Sequence, residues 1–305
     1  VITSDGHDWL ATDGRYLDAA SRIWDRERIF IYGGNAAREL HGLLRRCGSR
    51  IGIEANGVSL AFARDLTDAG SGLYCEAADG MVERLRRIKE PCEISALEKS
   101  FALNHKLMKW VEGQLEPGRT EADISWLIER FFRENGASEL AFANIVAVGK
   151  NAALPHAIPG QDAVTDNCPV LVDVGCRVEN YCSDQTRTFW VGTAPTDEFR
   201  RALDLTRQAQ TAAIEGMRPG MPLRMAYALA HDVFAKAGVA NAFTHGLGHG
   251  VGLETHEAPS LSPRAEGVLE PGMVVTVEPG LYYPQWGGIR WEYTVLVEKD
   301  GVRIL

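Results

Sequence analysis

The sequence predicts an α+β protein in two parts, a smaller α/β region followed by a larger region whose elements occur in the same order twice. Residues 1–84 alternate short apolar segments with helical patterns, which is typical of an α/β domain with a partly parallel sheet. Residues 85–305 contain two helices followed by strands, and then two more helices followed by strands. Because the halves share no visible sequence identity, this order predicts a structural pseudo-repeat around a central antiparallel sheet with helices on one face.

The first region begins at Val1 rather than at Met, in a predicted strand, which leaves open a truncation at its start. A second strand leads to a helix that begins near Tyr16. After that helix, a strand, an amphipathic helix with leucines on one face, another strand and another helix follow one another along the chain. They cover, in turn, residues 27–34, 36–47, 49–56 and 59–66.

The second region begins after a basic stretch that ends at Glu90-Pro91. We expect a long helix from Ser95 to Pro117-Gly118, and a second helix that is capped by Thr120 and ends at Gly136. The strands that follow surround a loop that holds His156. Two further helices and two stretches of strand complete the chain, in residues 195–217, 221–238, 273–283 and 287–305.

The composition excludes several classes of protein. The net charge of −9 and the pI near 5.5 argue against nucleic acid or an anionic membrane as the main partner. No uninterrupted apolar run reaches the length that a membrane span needs. The six cysteines form no CxxC pair and are too few for a disulfide scaffold of this size, so we expect reduced thiols and a cytoplasmic protein.

A glycine-rich stretch, Phe243–Pro259, contains three of the eight histidines of the chain. An α-helix is excluded here because each interior glycine costs about 1 kcal/mol relative to alanine. The stretch is therefore predicted to be extended or sharply turning, with its backbone close to another group and its imidazoles directed towards that group. We interpret it as part of a functional site rather than as a loop with chance histidines.

Four carboxylates stand in or beside strongly apolar strand sequence: Asp173, Asp184, Glu278 and Glu292. Any one of them could face solvent on an alternating strand, but four beside a histidine cluster favour a shared site, since a buried carboxylate needs a partner or a metal. Four oxygen ligands and one imidazole, with no thiolate, suit Mn²⁺, Co²⁺, Fe²⁺ or Zn²⁺. The negative charge suffices for two divalent ions, which could share and activate one hydroxide for hydrolysis.

These residues resemble the dinuclear metallopeptidases of the pita-bread fold, which include methionine aminopeptidase, Xaa-Pro aminopeptidase, prolidase and creatinase. The motifs that carry the resemblance are D-V-G-x8-D-Q-T-R-T, H-G-L-G-H-G-V-G-L-E-T-H-E-A-P, V-E-P-G-L-Y and G-G-I-R-W-E, within residues 90–305. The resemblance implies a pita-bread catalytic domain over residues 85–305, after a creatinase/prolidase-like N-terminal domain over residues 1–84. It also implies five metal ligands, namely Asp173, Asp184, His249, Glu278 and Glu292.

Specific roles follow from the same resemblance. Asp184 and Glu292 would bridge two ions, of which Mn²⁺ or Co²⁺ is favoured and Zn²⁺ or Fe²⁺ is the alternative. Glu278 would also move a proton from the bridging hydroxide to the leaving nitrogen. The further residues implied are His156, His245 and His256 at the substrate and the transition state, and Arg290 and Arg264 on a substrate carboxylate or around the metal site.

The complete ligand set argues against creatinase, and the α/β region in front argues against methionine aminopeptidase. The resemblance therefore favours a metal-dependent exopeptidase, a prolidase or Xaa-Pro aminopeptidase that cleaves the Xaa-Pro bond of dipeptides or peptide N-termini. Two alternatives remain open: a hydrolase of a modified amino acid or small amide, and a non-catalytic peptide-binding module on the same scaffold. The resemblance also implies a homodimer.

Overall fold

The computed structural model describes residues 1–70 and 72–305. The chain divides into two units, Val1–Glu83 and Arg84–Leu305, and a short helix, Met81–Arg86, spans the division. In the described residues, no helix combines the length and the apolar character that crossing a membrane requires.

The first unit contains four short strands and three helices in alternating order. The predicted parallel component is present as two pairs, since β1 pairs with β2 and β3 pairs with β4, both in parallel register. The strand predicted at Val1 is reduced to an isolated bridge between Ile2 and Asp8. The elements are β1 (Leu10–Asp13), α1 (Leu17–Ala20), β2 (Ile29–Tyr32), α2 (Ala36–Cys47), β3 (Arg50–Ile53), α3 (Leu60–Asp68) and β4 (Tyr74–Ala77).

The helix at the division is α4 (Met81–Arg86). The elements after it confirm the predicted order in both halves of the second unit. The first half contains α5 (Pro91–Val111), α6 (Glu121–Glu134), β5 (Glu139–Leu140), β6 (Ile145–Val148), β7 (Cys168–Val174), β8 (Cys176–Val178), β9 (Tyr181–Cys182) and β10 (Gln185–Val191). The second half contains α7 (Asp197–Gly216), α8 (Leu223–Lys236), β11 (Gly248–Gly250), β12 (Glu257–Leu261), β13 (Val274–Val277), β14 (Gly280–Tyr283), β15 (Gly287–Arg290), β16 (Tyr293–Val297) and β17 (Val302–Ile304).

The starts of α5 and α6 depend on local capping. The prediction that α5 begins at Ser95 is wrong, because the helix begins at Pro91, where a missing N–H costs nothing. The Glu93 carboxylate accepts the backbone N–H of Glu90, 2.8 Å away, and so satisfies a donor at this end. The predicted Thr120 cap is confirmed, since its Oγ1 accepts the N–H of Asp123 at 3.1 Å.

The strands of the second unit are antiparallel, as predicted, but they form four sheets rather than one central sheet. The sheet orders are β10-β7-β6, β12-β11-β13-β16-β17, β5-β8-β9 and β14-β15. Pro279 lacks an N–H and contributes to the break between β13 and β14. Hydrogen bonds cross between the sheets, among them the bond from the backbone N–H of Glu292, next to β16, to the carbonyl of Thr186 in β10 at 3.2 Å.

Each half of the second unit has its own apolar core. In the first half, residues of α5 and α6 such as Leu107 and Ile128 pack with buried valines of β6 and β7. In the second half, α7 and α8 supply Ala209 and Phe234, which pack against valines of β13 and β16. Complete burial of these side chains fixes the strands, and with them the polar residues at the strand ends, in one arrangement.

Candidate metal centre and active site

Three carboxylates from distant parts of the chain meet in the interior of the second unit. Asp173 lies in β7, Asp184 immediately precedes β10, and Glu292 immediately precedes β16. Each offers an oxygen within 4.8 Å of the oxygens of the other two. Their exposed fractions are 8%, 6% and 1%, so three acids share a volume that water barely reaches.

His249 and Glu278 lie beside this group. The Nε2 atom of His249, in β11, is 3.3 Å from Oε1 of Glu278, which follows β13. The same Nε2 is 3.6 Å from Oδ2 of Asp184. Thr276 orients both residues, since its Oγ1 donates to Glu278 at 3.1 Å and accepts the His249 N–H at 3.0 Å.

The electrostatics of the group favour a bound cation. Burial, and then the charge of Glu292, raise the pKa of Asp184 well above its usual value. Burial, and then Glu278, raise the pKa of Glu292. Burial would also raise the pKa of Glu278, but the hydrogen bond and charge of His249 outweigh it and lower that pKa.

Two carboxylate oxygens of the group have no hydrogen-bond partner within the described part of the chain: Oδ1 of Asp173 and Oε1 of Glu292. Buried polar atoms without partners are costly, and metal coordination would satisfy both. The donor set of oxygens with one imidazole therefore fits divalent metal ions. The five predicted ligands lie together, with His249 and Glu278 beside the three acids that could hold a metal ion.

Arg290 supports the acidic group from β15. Its Nη2 donates to Oδ2 of Asp173 at 2.5 Å, its Nη1 to the hydroxyl of Tyr282 at 2.8 Å, and its Nε to Oγ1 of Thr186 at 3.1 Å. The Thr186 hydroxyl in turn donates to Oε2 of Glu292 at 2.9 Å. Of the two roles predicted for Arg290, these contacts favour support of the metal site over the capture of a substrate carboxylate.

The predicted histidines His156, His245 and His256 all line one cavity of about 560 Å³ together with Asp173, Asp184, His249, Glu278 and Arg290. His245 is the most enclosed of the three. Its Nε2 lies 2.8 Å from the Tyr282 hydroxyl and its Nδ1 lies 2.7 Å from the carbonyl of Gly246. Burial lowers the pKa of His245, which favours a neutral imidazole near pH 7.

His256 lies against the proposed ligand His249, and the centroids of the two rings are 4.0 Å apart. Burial, and then the charge of His249, lower the pKa of His256. Apolar residues, among them Phe142, Ile145 and Ile158, line other parts of the cavity. A polar floor with apolar surroundings is typical of a binding site for a small molecule.

Steric constraints explain why glycine is needed in the Phe243–Pro259 stretch. A Cβ on Gly248 would lie 2.0 Å from the backbone oxygen of Thr276, a distance that no side chain allows. Only glycine therefore lets β11 approach β13 closely enough to place His249 beside Glu278. The prediction of an extended, turning segment close to another group is confirmed.

Three further residues of the site, Thr186, Thr276 and Tyr282, were not predicted from the sequence. The first two could have been found from strand alternation, since Thr186 is two residues after Asp184 and Thr276 is two residues before Glu278, on the same faces. No such signal marks Tyr282, because its contacts with His245 and Arg290 depend on tertiary structure. Burial raises its pKa to about 12, so its hydroxyl stays protonated.

The structure does not bring Arg264 into the site. Its position in the turn after β12 is exposed, and it is not among the residues that line the cavity. Its guanidinium is held by no ion pair within the described part of the chain. A substrate-binding role for Arg264 stays a prediction without support from the geometry.

Comparison with known protein families gives two matches that together cover nearly the whole chain. Residues 95–299 match the model of metallopeptidase family M24. Residues 1–88 match the creatinase/prolidase N-terminal domain.

Individual relatives agree with these matches. The chain is 33% identical over 267 residues to the Xaa-Pro dipeptidase of Pyrococcus furiosus, with 88% of this chain and 76% of that protein covered. Its structure is similar to an Xaa-Pro dipeptidase from Bacillus anthracis, with a TM-score of 0.92 and 34% identity, over 96% of this chain and 82% of the other. It is also similar to an X-Pro aminopeptidase from Thermotoga maritima, with a TM-score of 0.87 and 31% identity, over 96% and 84% of the two chains.

Proposed function

Because the chain belongs to metallopeptidase family M24, we propose that it is a metal-dependent exopeptidase that hydrolyses the Xaa-Pro bond of dipeptides or peptide N-termini. The observation that carries this proposal is a group of four carboxylates and one imidazole, in which Asp173, Asp184 and Glu292 are buried and all members but Glu292 line a cavity of about 560 Å³. A non-catalytic binding module would have no need for so costly a concentration of buried charge. Relatives that carry Xaa-Pro dipeptidase and X-Pro aminopeptidase names support the choice of substrate.

We assign the binding of two divalent ions to the five ligands. Asp173, Asp184 and Glu292 would hold one ion, and His249 with Glu278 would hold the other, with Asp184 and Glu292 shared between them. When bound, the ions supply Lewis acidity, which lowers the pKa of water and polarises the scissile carbonyl. The oxygen-rich ligand set supports Mn²⁺ or Co²⁺, with Zn²⁺ or Fe²⁺ as alternatives.

The side chains of the chain would then handle protons and orientation. Glu278 would accept a proton from the attacking water and return it to the proline nitrogen as the C–N bond breaks. His245, whose Nε2 lies beside the Tyr282 hydroxyl, would contact the substrate near the scissile carbonyl. His156 and His256, at the cavity, would contact the substrate on either side of the scissile bond.

We further propose that residues 1–84 and 85–305 act as an N-terminal domain and a catalytic domain, in a homodimer in the cytoplasm. All six cysteines are free thiols, which supports a reducing compartment. Sedimentation equilibrium of the full chain would measure the oligomeric state.

The test of the function is hydrolysis by the metal-loaded protein of Ala-Pro and Leu-Pro, compared with tripeptides that have proline at the second position. Ala-Ala serves as the matched substrate without proline. Turnover of the dipeptides alone would indicate a prolidase, and turnover of the longer peptides would indicate an aminopeptidase. Absence of turnover of both, with two metal ions bound per chain, would contradict the proposal and favour the hydrolysis of a modified amino acid or small amide.

A further inference from the structure

The loop that carries His156 is tied to the rest of the unit by a buried carboxylate outside the metal site. Glu121 is the first residue of α6 and is 1% exposed. Its Oε1 accepts the backbone N–H of Val148 at 2.7 Å and the side-chain amide of Asn151 at 2.9 Å. Its Oε2 accepts the backbone N–H of Gly160 at 2.8 Å.

These three donors lie at the two ends of one segment. Val148 is the last residue of β6, Asn151 lies in the turn that follows, and Gly160 closes the loop. Between them lie five residues that line the cavity, Pro155 to Pro159, with His156 second among them. The Glu121 carboxylate therefore connects the first and last residues of the loop. The positions of these two ends determine where His156 lies relative to the cavity.

No cation of the described residues forms an ion pair with Glu121. Its charge is stabilised by the three N–H donors and by the N-terminal end of α6, where a negative charge is favoured. A carboxylate has two equivalent oxygens, so it can accept hydrogen bonds from N–H donors at both ends of the loop. A glutamine cannot, because its NH₂ group would face an N–H group at one end of the loop.

The side chain of His156 depends on this loop for its position. The residue is exposed, and the structure records no hydrogen bond from its imidazole to any of the residues described. Two buried alanines, Ala152 and Ala157, hold the loop by apolar contact with Leu171 and its neighbours. Such contacts resist lifting of the loop but provide no directional constraint on its two ends.

We propose that Glu121 is a positioning residue for the reaction, which acts by holding the loop of residues 148–160 so that His156 reaches the substrate. The inference rests on the proposed function for the role of His156, but the position of the loop can be measured without substrate or metal. The variant is Glu121→Gln. The matched control is Glu134→Gln, at the exposed end of the same helix.

The first measurement is hydrogen–deuterium exchange of the metal-free full chain. In Glu121→Gln we expect amides of residues 148–160 to exchange at least about tenfold faster, because a charge-assisted hydrogen bond is lost at one end of the loop. Amides of β7 and α5 should keep their wild-type rates, as should every amide in Glu134→Gln. Unchanged exchange in the loop, or faster exchange throughout the unit, would overturn the proposal.

The second measurement is a double-mutant cycle with His156→Ala, with kcat and KM measured for an Xaa-Pro dipeptide. If Glu121 acts through His156, Glu121→Gln lowers kcat/KM by about tenfold or more in the wild-type background and by less than about twofold once His156 is absent. Equal losses in both backgrounds would overturn the proposal. An inactive wild-type protein would contradict the proposed function alone, since the exchange experiment would still decide the role of Glu121.

If Glu121→Gln does not fold, Asn151→Ala removes one of the three donors and leaves the carboxylate in place. Because Asn151 also donates to Oδ2 of Asp162 at 2.8 Å, Asp162→Ala is the control for that second contact. Faster exchange confined to residues 148–160 in Asn151→Ala, beyond that in Asp162→Ala, would support the proposal. Wild-type exchange there would overturn it.

Discussion

Replacement of Glu257 by glutamine should destabilise the second unit strongly. The Glu257 carboxylate is 5% exposed and pairs with Lys89, which is 1% exposed, at 3.1 Å between Oε2 and Nζ. Its other oxygen contacts Arg86 and accepts the backbone N–H of Glu254 at 3.0 Å. The cluster joins the segment before α5 to the loop that carries His256.

The size of the stability loss depends on the charge that the substitution leaves without a partner. In Glu257→Gln, the buried Lys89 ammonium keeps no anionic partner at ion-pair distance in the described structure, and breaking a buried pair in this way costs about 3–5 kcal/mol. For a unit of about 220 residues, each kcal/mol lowers Tm by about 2–4 °C, so we expect a decrease of about 6–20 °C. Lys89→Met should cost less, because Arg86 still neutralises Glu257.

The pH dependence gives a second signature of the same pair. Burial would raise the pKa of Glu257, but Lys89 and Arg86 outweigh it, so the pKa is lowered from 4.5. A carboxylate with a lowered pKa in the folded state contributes its full stability above the unfolded value and loses it as the pH falls through the folded value. The difference in stability between wild type and Glu257→Gln should therefore shrink below pH 4.5.

Thermal and urea unfolding, followed by circular dichroism at neutral and acidic pH, would measure both effects. The matched control is Glu254→Gln, because the Glu254 side chain is 66% exposed and lies 3.4 Å from Arg86. That variant should lose less than about 1 kcal/mol. A Glu257→Gln protein whose Tm at neutral pH is within about 2 °C of the wild type would refute the reasoning.

Two further predictions concern the candidate metal centre. Asp184→Asn should abolish activity and much of the metal content, because it removes a shared negative charge from the acidic group. Mass spectrometry that still finds two ions per chain would count against the ligand assignment. The control is Asp300→Asn, in an exposed turn. His245→Ala should lower kcat by about 10²-fold or more while metal remains bound, since its imidazole faces the cavity beside Tyr282. A wild-type kcat in that variant would make His245 a structural residue only.

Local sequence patterns predicted the elements of this fold well where one strong signal governs each element. The capped start of α6 at Thr120 depends on residues only three apart, and the structure has the predicted cap. The start of α5 was mispredicted because Pro91 was read as a helix breaker. In the structure Pro91 is the first residue of the helix, where proline is tolerated.

The division of the strands into four sheets could not be predicted from the sequence. Periodicity identifies strands and their faces, but sheet membership depends on which backbone groups pair across long loops. The hydrogen bond from Glu292 to Thr186, for example, joins residues 106 apart in the chain at the point where two sheets meet. The support of Asp173 by Arg290 and of His245 by Tyr282 arises in the same way.

The sequence by itself determined the chemistry of the candidate site. Acids set in apolar strands, and a glycine-rich stretch with histidines, predicted a divalent-metal hydrolase because isolated buried charges are too costly to occur by chance. The tertiary structure alone decided which groups support that chemistry: Tyr282 on His245, Arg290 on Asp173, and Glu121 beneath the His156 loop. The physical reason is sequence distance. The residue type and its neighbours in the chain show that burying a polar side chain costs free energy. The hydrogen-bond partner that offsets this cost is brought next to it by tertiary packing, from elsewhere in the chain.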